Sequence, residues 1–296
     1  MELLKIIESI RTPFLDTVIG LITRLGEETL GMLILCLILW CISKKTAYVI
    51  GIAFFLSSLT VQGMKICFRI ERPWVLDPTF EPVEGAKEYA TGYSFPSGHT
   101  QSAAALYGSL GAQLKPWLLK AVFFLICFLV AFSRMYLGVH TLLDVVVSLL
   151  ISFLLIWITL KIFAGDTIVI KREFAISLVM ILYAIAVIVI AAILYSNGTI
   201  THSYVSDCLK AAGACVGFAA GMFIERVYIN YSVKTRNILM QVFKFAAGIV
   251  GVLAIQEGLK LIIGTGLVVD MFRYFLLLAW VTVLFPMIIK RFFAVS

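Results

Sequence analysis

Charged residues are scarce in this chain of 296 residues, since only 14% are Asp, Glu, Lys or Arg while 61% are hydrophobic. A soluble domain is about a quarter charged and roughly half apolar, and the mean hydropathy of +1.04 lies outside that class. The same composition excludes a disordered chain. The apolar stretches also run on without the short alternating segments of an outer-membrane barrel. The class that remains is a polytopic helical membrane protein.

Cysteine pairs, repeats and linkers are missing as well. The six cysteines form no CxxC pair and lie mostly inside apolar runs, so we interpret them as small core residues rather than disulfides or metal ligands. No internal repeat, low-complexity tract or Pro/Gly/Ser linker marks a second soluble domain. The N-terminus carries charges every few residues and lacks an uninterrupted apolar region, so no cleaved signal peptide is expected.

Apolar runs bounded by charged or turn residues predict nine membrane spans, and therefore an all-α, polytopic helical bundle. Before the first span, residues 1–26 carry apolar positions at helical spacing with charges between them, which predicts an amphipathic helix on the membrane surface. A tenth span over these residues is the alternative. The spans are expected at residues 29–42, 47–68, 97–113, 117–136, 140–163, 174–195, 208–224, 242–263 and 271–289.

Lysine and arginine are distributed unevenly between the two sides of these spans. One side carries most of them and few acidic residues, so the positive-inside rule makes it cytoplasmic. The net charge of +7 is then mainly a topology signal, and no nucleic-acid partner is expected. The same residues are compatible with attraction to anionic lipid headgroups. They are Lys44, Lys45, Lys115, Lys120, Lys161, Lys171, Arg172, Arg226, Lys234, Arg236, Lys244, Lys290 and Arg291.

Two patterns in the C-terminal part favour structural roles. Gly213, Gly217 and Gly221 recur every four positions on one helix face, which favours close packing within the chain over packing in a dimer. Residues 225–236 contain charged, amide and aromatic side chains and are predicted to form a polar cytoplasmic loop.

Polar residues that are costly at a membrane boundary cluster in three segments: Lys65–Pro73, Pro96–His99 and Ser133–Asp144. Each segment lies at the end of a predicted span, on the side opposite the lysine-rich loops. The three segments can therefore form one pocket at the extracytoplasmic surface.

The residue types in these segments are suited to phosphate. Lys65, Arg72 and Arg134 supply three cations whose donors can hold a tetrahedral oxyanion. Ser97 and Gly98 lie where a helix begins, so their free backbone N–H groups would add to the same anion site.

Two of the three histidines complete the set. His140 and Asp144 are spaced i, i+4 and are expected on one helical face, so the carboxylate can orient the ring and stabilise its imidazolium form. This pair predicts a nucleophile with an orienting group. His99 arrives from another helix and can protonate the leaving-group oxygen. The third, His202, lies in a polar loop and is predicted to be solvated.

Simpler interpretations exist for single residues. Lys65, Arg69 and Arg72 alone would be snorkelling side chains at a helix end. The other two segments favour a phosphate-binding role for Lys65 and Arg72. Arg69 lies outside the pattern, so it is still interpreted as a snorkelling side chain. The acidic residues of the polar insert at residues 69–95 are predicted to be a solvated loop face rather than a divalent-cation site.

The three segments resemble the signature of the type 2 phosphatidic acid phosphatase superfamily, a group of membrane phosphatases with a helical fold. Its members read K, six residues, RP; then PSGH; then SR, five residues, H, three residues, D. The matching positions here are Lys65, Arg72, Pro73, Pro96, Ser97, Gly98, His99, Ser133, Arg134, His140 and Asp144.

The resemblance implies a phosphohistidine on His140, helped by Asp144, with His99 as the acid. It implies neither a metal nor a cofactor. The sequence YLGVHTLLDV is similar, more specifically, to the long-chain-base phosphate phosphatases. The residues implied around the phosphate are Lys65, Arg72, Arg134, Ser97 and Gly98.

The resemblance also implies a division of the chain. It covers about residues 27–195, a six-helix catalytic core. Residues 1–26 then form the amphipathic N-terminal segment, and residues 196–296 form about three additional C-terminal transmembrane helices.

The expected function is hydrolysis of a lipid phosphate monoester or diphosphate. Candidate substrates are a polyprenyl diphosphate, a phosphatidate-like lipid or a sphingoid-base phosphate, and membrane lipids are the other expected partners. The expected location is the cell (inner) membrane, with the site on the extracytoplasmic side. The alternatives are a lipid-linked phosphotransferase using the same phosphohistidine and a transporter or scramblase, suggested by the additional spans. The oligomeric state is left open.

Overall fold

The computed structural model describes residues 1–88, 90–163 and 169–293, and the regular structure of those residues is entirely helical. The predicted all-α class is confirmed. The α-helices are α1 (Glu2–Ser9), α2 (Pro13–Arg24), α3 (Glu28–Leu37), α4 (Lys44–Phe68), α5 (Pro73–Leu76), α6 (Gly98–Ala103), α7 (Ser109–Gln113), α8 (Trp117–Tyr136), α9 (Leu142–Ile162), α10 (Ile170–Ser196), α11 (His202–Ile224), α12 (Ile238–Leu253), α13 (Leu259–Ile263), α14 (Leu267–Ala279) and α15 (Phe285–Phe292). The π-helical turns are Ile38–Ile42, Ala104–Gly108, Glu225–Ile229, Ala254–Gly258 and Trp280–Leu284.

Among the described residues, 7 helical stretches are long and apolar enough to cross a membrane, and one bent pair would make 8. The 7 correspond to the second predicted span and to the fourth through ninth. The first predicted span, residues 29–42, belongs to the bent pair, Pro13–Arg24 with Glu28–Ile42. The third, residues 97–113, is too short, because a helix from Gly98 to Gln113 rises about 24 Å at 1.5 Å per residue, against about 30 Å of hydrocarbon.

The N-terminal segment consists of two helices rather than the one predicted. Thr12 caps α2, its Oγ1 accepting a hydrogen bond from the Leu15 N–H at 3.3 Å, and Pro13 takes the first helical position. Proline has no N–H to continue a preceding helix but suits the start of a new one. Both α1 and α2 pack against α8.

Contacts divide the chain into two compact units. Unit 1 comprises Met1–Met32 and Thr60–Leu160, and unit 2 comprises Leu33–Leu59 and Lys161–Ser296. In unit 1, α8 is the central helix and packs against α1, α2, α6 and α7. All three motif segments fall in unit 1. The division at residues 27–195 stays a prediction.

In unit 2, α11 packs closely against α10 and α14. A Cβ on Gly217 would lie 2.5 Å from the Phe275 carbonyl oxygen, and Gly213 and Gly221 are equally crowded, by Met271 and Thr282. Only a residue without a side chain lets two helix backbones approach this closely. The predicted close packing of this glycine face within the chain is confirmed.

Two smaller predictions are corrected. The polar segment 225–236 is not simply a loop, because Glu225–Ile229 continues α11 as a π-helical turn and Glu225 is fully buried. All six cysteines are free thiols, as expected, but Cys67 is exposed at the end of α4 and is not a core residue.

Candidate active site

Hydrogen bonds join the three motif segments within unit 1. The Ser97 N–H donates to the Asp144 carbonyl at 3.2 Å, and the His140 N–H donates to the Arg134 carbonyl at 3.3 Å. Arg72 Nη1 lies 3.0 Å from His140 Nε2. The segments that the sequence expected to form one pocket are thus in direct contact.

A capping box at the start of α9 fixes Asp144 beside His140. The Thr141 N–H donates to Asp144 Oδ2 at 2.7 Å, and the Asp144 N–H donates to Thr141 Oγ1 at 3.4 Å, which is the reciprocal pair of that motif. His140 Nδ1 lies 3.4 Å from the same carboxylate oxygen. The i, i+4 spacing predicted His140 and Asp144 on one helical face, but α9 begins at Leu142. Because Thr141 caps the helix, the His140 ring reaches the carboxylate from just outside the first turn.

Ser94 is a site residue that the sequence did not indicate. Its fully buried hydroxyl donates to Asp144 Oδ2 at 2.5 Å and lies 3.5 Å from His140 Nδ1. The Ser94 N–H donates to the Ile70 carbonyl at 2.8 Å, which holds this part of the insert in place. Ser94 stands three residues before Ser97, outside the motif, and no pattern marks it.

The partners of His140 assign its proton. Arg72 is only a donor, so the nitrogen it faces, Nε2, is the acceptor and carries the lone pair. Nδ1 then carries the proton and faces Asp144. Arg72 itself is held by bonds to the carbonyls of Gly92 at 3.0 Å, Thr91 at 2.6 Å and Val139 at 2.8 Å.

Both motif histidines lie outside the seven long helical stretches, in a strongly cationic environment. Burial lowers the pKa of His140 well below its usual value, and the charges of Arg72 and Arg134 lower it further. Burial also lowers the pKa of His99 to about 3, again with help from Arg134 and Lys65. Both rings are therefore neutral near pH 7, and an anion that offsets these cations would raise both pKa values.

Arg134 is 4% exposed, and its guanidinium is held from an unexpected direction. Nη1 donates to Thr23 Oγ1, at the end of α2, at 2.8 Å. Nε has no hydrogen-bond partner among the described residues. No sequence pattern connects Thr23 with the site, since Thr23 and Arg134 are 111 positions apart.

The helix start at Ser97 and Gly98 differs in one respect from the expectation. Ser97 Oγ caps α6 and accepts from the Thr100 N–H at 3.4 Å. Its backbone N–H, predicted to be free for an anion, is instead bonded to the Asp144 carbonyl. The space beside Gly98 is open, unlike that at the Ser97 N–H, because a Cβ placed on Gly98 would meet nothing within 4 Å. An anion can therefore approach the chain at Gly98.

Arg69 lies apart from these contacts, as expected. It is exposed, and its Nη1 donates to the Ile66 carbonyl at 3.2 Å. His202, the third histidine, is exposed at the start of α11.

Two family models match separate parts of the chain. Residues 45–168 match the PAP2 superfamily. Residues 209–295 match the PAP2 superfamily phosphatase, transmembrane extension. The first match contains every motif residue and the second lies in unit 2.

Individual proteins are also similar to this chain. A probable sphingosine-1-phosphate phosphatase of Dictyostelium discoideum is 29% identical over 163 residues, which are 49% of this chain and 38% of that protein. The crystal structure of Aquifex aeolicus LpxE is 30% identical, with a TM-score of 0.49, over 54% of this chain and 93% of that one. A PAP2-type phosphatidylglycerolphosphate phosphatase from Bacillus subtilis is 25% identical, with a TM-score of 0.47, over 55% of this chain and 84% of that one.

Proposed function

The chain belongs to the PAP2 superfamily, and from this premise we propose that it is an integral-membrane lipid phosphatase that works through a phosphohistidine on His140. One observation carries the proposal. The two ring nitrogens of His140 have different partners, Asp144 at Nδ1 and Arg72 at Nε2. A nitrogen lone pair therefore lies beside a cation suited to phosphate, while a carboxylate holds the opposite side of the ring.

In the first step, His140 Nε2 attacks phosphorus. An N–P bond forms, and the bond from phosphorus to the leaving-group oxygen breaks. His99 gives its proton to that oxygen. The ring of His140 now carries a positive charge, and the Asp144 carboxylate, which accepts from Ser94 and Thr141, stabilises it through the proton on Nδ1.

In the second step, water attacks the phosphohistidine. His99, now neutral, takes a proton from the water, the N–P bond breaks, and inorganic phosphate leaves. His140 returns to the neutral form that its lowered pKa favours. The proton that His99 gave in the first step is recovered here.

The cations neutralise the transferring group. Arg72 and Arg134 are fixed by hydrogen bonds to neutral acceptors, so their positive charge is directed toward a phosphate without prior reorganisation. Lys65 and the backbone at Gly98 add to the same field. A bound phosphate also raises the pKa of His99, which loads the acid with its proton only when substrate is present.

The substrate we propose is a lipid phosphate monoester or diphosphate with its head at the extracytoplasmic face. The lysine-rich loops support that side, through the positive-inside rule. The long apolar helices support an integral membrane protein. A sphingoid-base phosphate is supported by the Dictyostelium relative, and a polyprenyl diphosphate and a phosphatidate-like lipid share the same anionic head and apolar tail.

The test is phosphate release by the detergent-purified protein from a panel of these lipids in EDTA. Two variants accompany the wild type: His140→Ala, and His202→Ala as a matched control that removes an exposed histidine outside unit 1. We expect release by the wild type and by His202→Ala, and none by His140→Ala.

Other outcomes would overturn the proposal. Equal release by the wild type and His140→Ala would exclude the phosphohistidine. Phosphate that appears only on an added lipid or sugar acceptor would indicate a phosphotransferase. Lipid translocation that persists in His140→Ala, with no release by any protein, would indicate a transporter.

A further inference from the structure

The N-terminal helices lie outside both family matches, yet they contribute to the surroundings of the site. Arg134 Nη1 donates to Thr23 Oγ1 at 2.8 Å. Thr23 is in the last turn of α2 and is half-buried. This side-chain contact holds the Arg134 guanidinium, and it comes from a part of the chain with no motif of its own.

The position of this bond on the guanidinium matters. Arginine binds an anion bidentately with two adjacent N–H groups. Nε and Nη2 form one such edge, and Nε has no hydrogen-bond partner among the described residues. Thr23 accepts from Nη1 and leaves the Nε–Nη2 edge available to a phosphate.

The N-terminal segment also contacts the backbone of His99. Gly26 is buried, and a Cβ there would lie 2.7 Å from the His99 carbonyl oxygen and 2.8 Å from Val130 Cγ1. The turn after α2 therefore lies directly against the backbone of His99. Two independent contacts, at Thr23 and at Gly26, join the N-terminal segment to two different site residues.

We propose that Thr23 is a positioning residue for phosphate binding, which holds Arg134 so that its Nε–Nη2 edge faces the phosphate. The inference rests on the proposed function in assigning Arg134 to the phosphate. It adds that the N-terminal segment is a component of the site. Thr23 itself does not touch the reacting atoms.

Thr23→Val tests this, because valine keeps the shape and removes the acceptor. We expect the KM for a lipid phosphate and the inhibition constant for inorganic phosphate to rise about tenfold, the range for a hydrogen bond to a charged group. The value of kcat should change much less, since the lost binding is common to ground and transition states. Thr23→Ser should restore both constants. Thr17→Val, which removes an exposed hydroxyl bonded to the Pro13 carbonyl on the same helix, should match the wild type.

Two further measurements distinguish failure of the phosphatase proposal from failure of the Thr23 proposal, and they cover a variant that does not fold. Binding of inorganic phosphate, measured by titration calorimetry, is scored independently of turnover, so a wild type that releases no phosphate would count against the proposed function alone. Thr23→Ala, checked by gel filtration, serves if the valine variant does not fold. Unchanged phosphate binding in either folded variant would overturn the role of Thr23, and so would failure of Thr23→Ser to restore it.

Discussion

Each unit buries a cluster of charged side chains, and the two clusters are partnered in different ways. In unit 2, Glu173 and Glu225 are fully buried, and each of their four carboxylate oxygens accepts a hydrogen bond. Arg226 binds Glu173 through Nε at 2.8 Å and Nη2 at 3.0 Å. Lys44 Nζ lies 2.9 Å from Glu225 Oε1, and the Tyr48 hydroxyl donates to Oε2 at 2.5 Å. We call these five residues the paired cluster.

In the site cluster of unit 1, the carboxylate and one arginine bond to uncharged groups. Its carboxylate, Asp144, is engaged by Ser94 and Thr141 and faces His140. Arg134 bonds to a neutral hydroxyl, with its Nε unpartnered among the described residues. The members of the site cluster are Lys65, Arg72, His99, Arg134, His140 and Asp144.

Under the proposed function, this difference separates a structural role from a binding role. A buried charge in a membrane protein must be compensated. The paired cluster is compensated by the chain itself, so folding completes it. In the site cluster, Arg134 bonds to a neutral hydroxyl, and under the proposed function an anionic ligand compensates its charge. Burial and charge alone do not distinguish the two cases, but the identity of each partner does.

One isosteric change in each cluster should give opposite results. Asp144→Asn removes the charge that stabilises the His140 imidazolium, and we expect phosphate release to fall on the order of 10³ to 10⁴-fold with little change in thermal stability. Glu173→Gln leaves Arg226 without its buried partner, and we expect a loss of about 3–5 kcal/mol in stability with kcat of the folded protein nearly unchanged. Release assays and thermal unfolding in detergent measure the two effects.

A third carboxylate provides the control for this pair. Asp207 is half-exposed and lies 3.6 Å from Lys210, so Asp207→Asn should alter neither quantity. If Glu173→Gln abolished release without lowering stability, the paired cluster would be catalytic and the distinction between the clusters would be wrong.

A smaller effect is expected in the number of protons that the protein takes up when an anion binds. The pKa of His99 is lowered to about 3, so the ring is neutral near pH 7. Sulfate is a tetrahedral dianion that does not titrate between pH 5 and 8, and on binding it should raise that pKa by offsetting the cations. We therefore expect uptake of up to one proton per sulfate and tighter binding as the pH falls from 7 toward 6. Calorimetry in buffers of different ionisation enthalpy measures the uptake.

The variant His99→Gln decides whether His99 takes up that proton. Uptake should fall in this variant while sulfate still binds. Proton release on binding, or uptake that is the same in His99→Gln, would contradict the assignment. In unit 2, sulfate has no place to bind in the paired cluster, so Glu173→Gln should not change the uptake.

The site was more predictable from sequence than its supports were. Spacing and topology predicted that Arg72, His140 and Asp144 can lie together, because their span ends are on one side of the membrane. Ser94 and Thr23 were missed, because each reaches the site through tertiary packing and neither belongs to a local pattern. The backbone N–H of Ser97 was expected to be free, since nothing in the sequence shows that the Asp144 carbonyl lies opposite it.

The fold shows the same limit. Long apolar runs predict membrane spans directly. A run close to the minimum spanning length, such as residues 97–113, does not. The polarity of residues 225–236 suggested a loop, whereas Glu225 is buried with Lys44 and Tyr48 from a distant part of the chain. A polar pattern is ambiguous when its partners are remote in sequence.

The central claim is that the site cluster forms a covalent phosphohistidine, and trapping that intermediate tests it most directly. His99→Gln is mixed with an aryl phosphate whose leaving group needs no proton, so His140 should be phosphorylated while the second step, which lacks its base, is slow. We expect an acid-labile, alkali-stable phosphoryl group on the peptide containing His140, and we expect it to be absent from the double variant with His140→Ala. Phosphate release without any phosphoryl-enzyme, or a phosphoryl group on another residue, would contradict it.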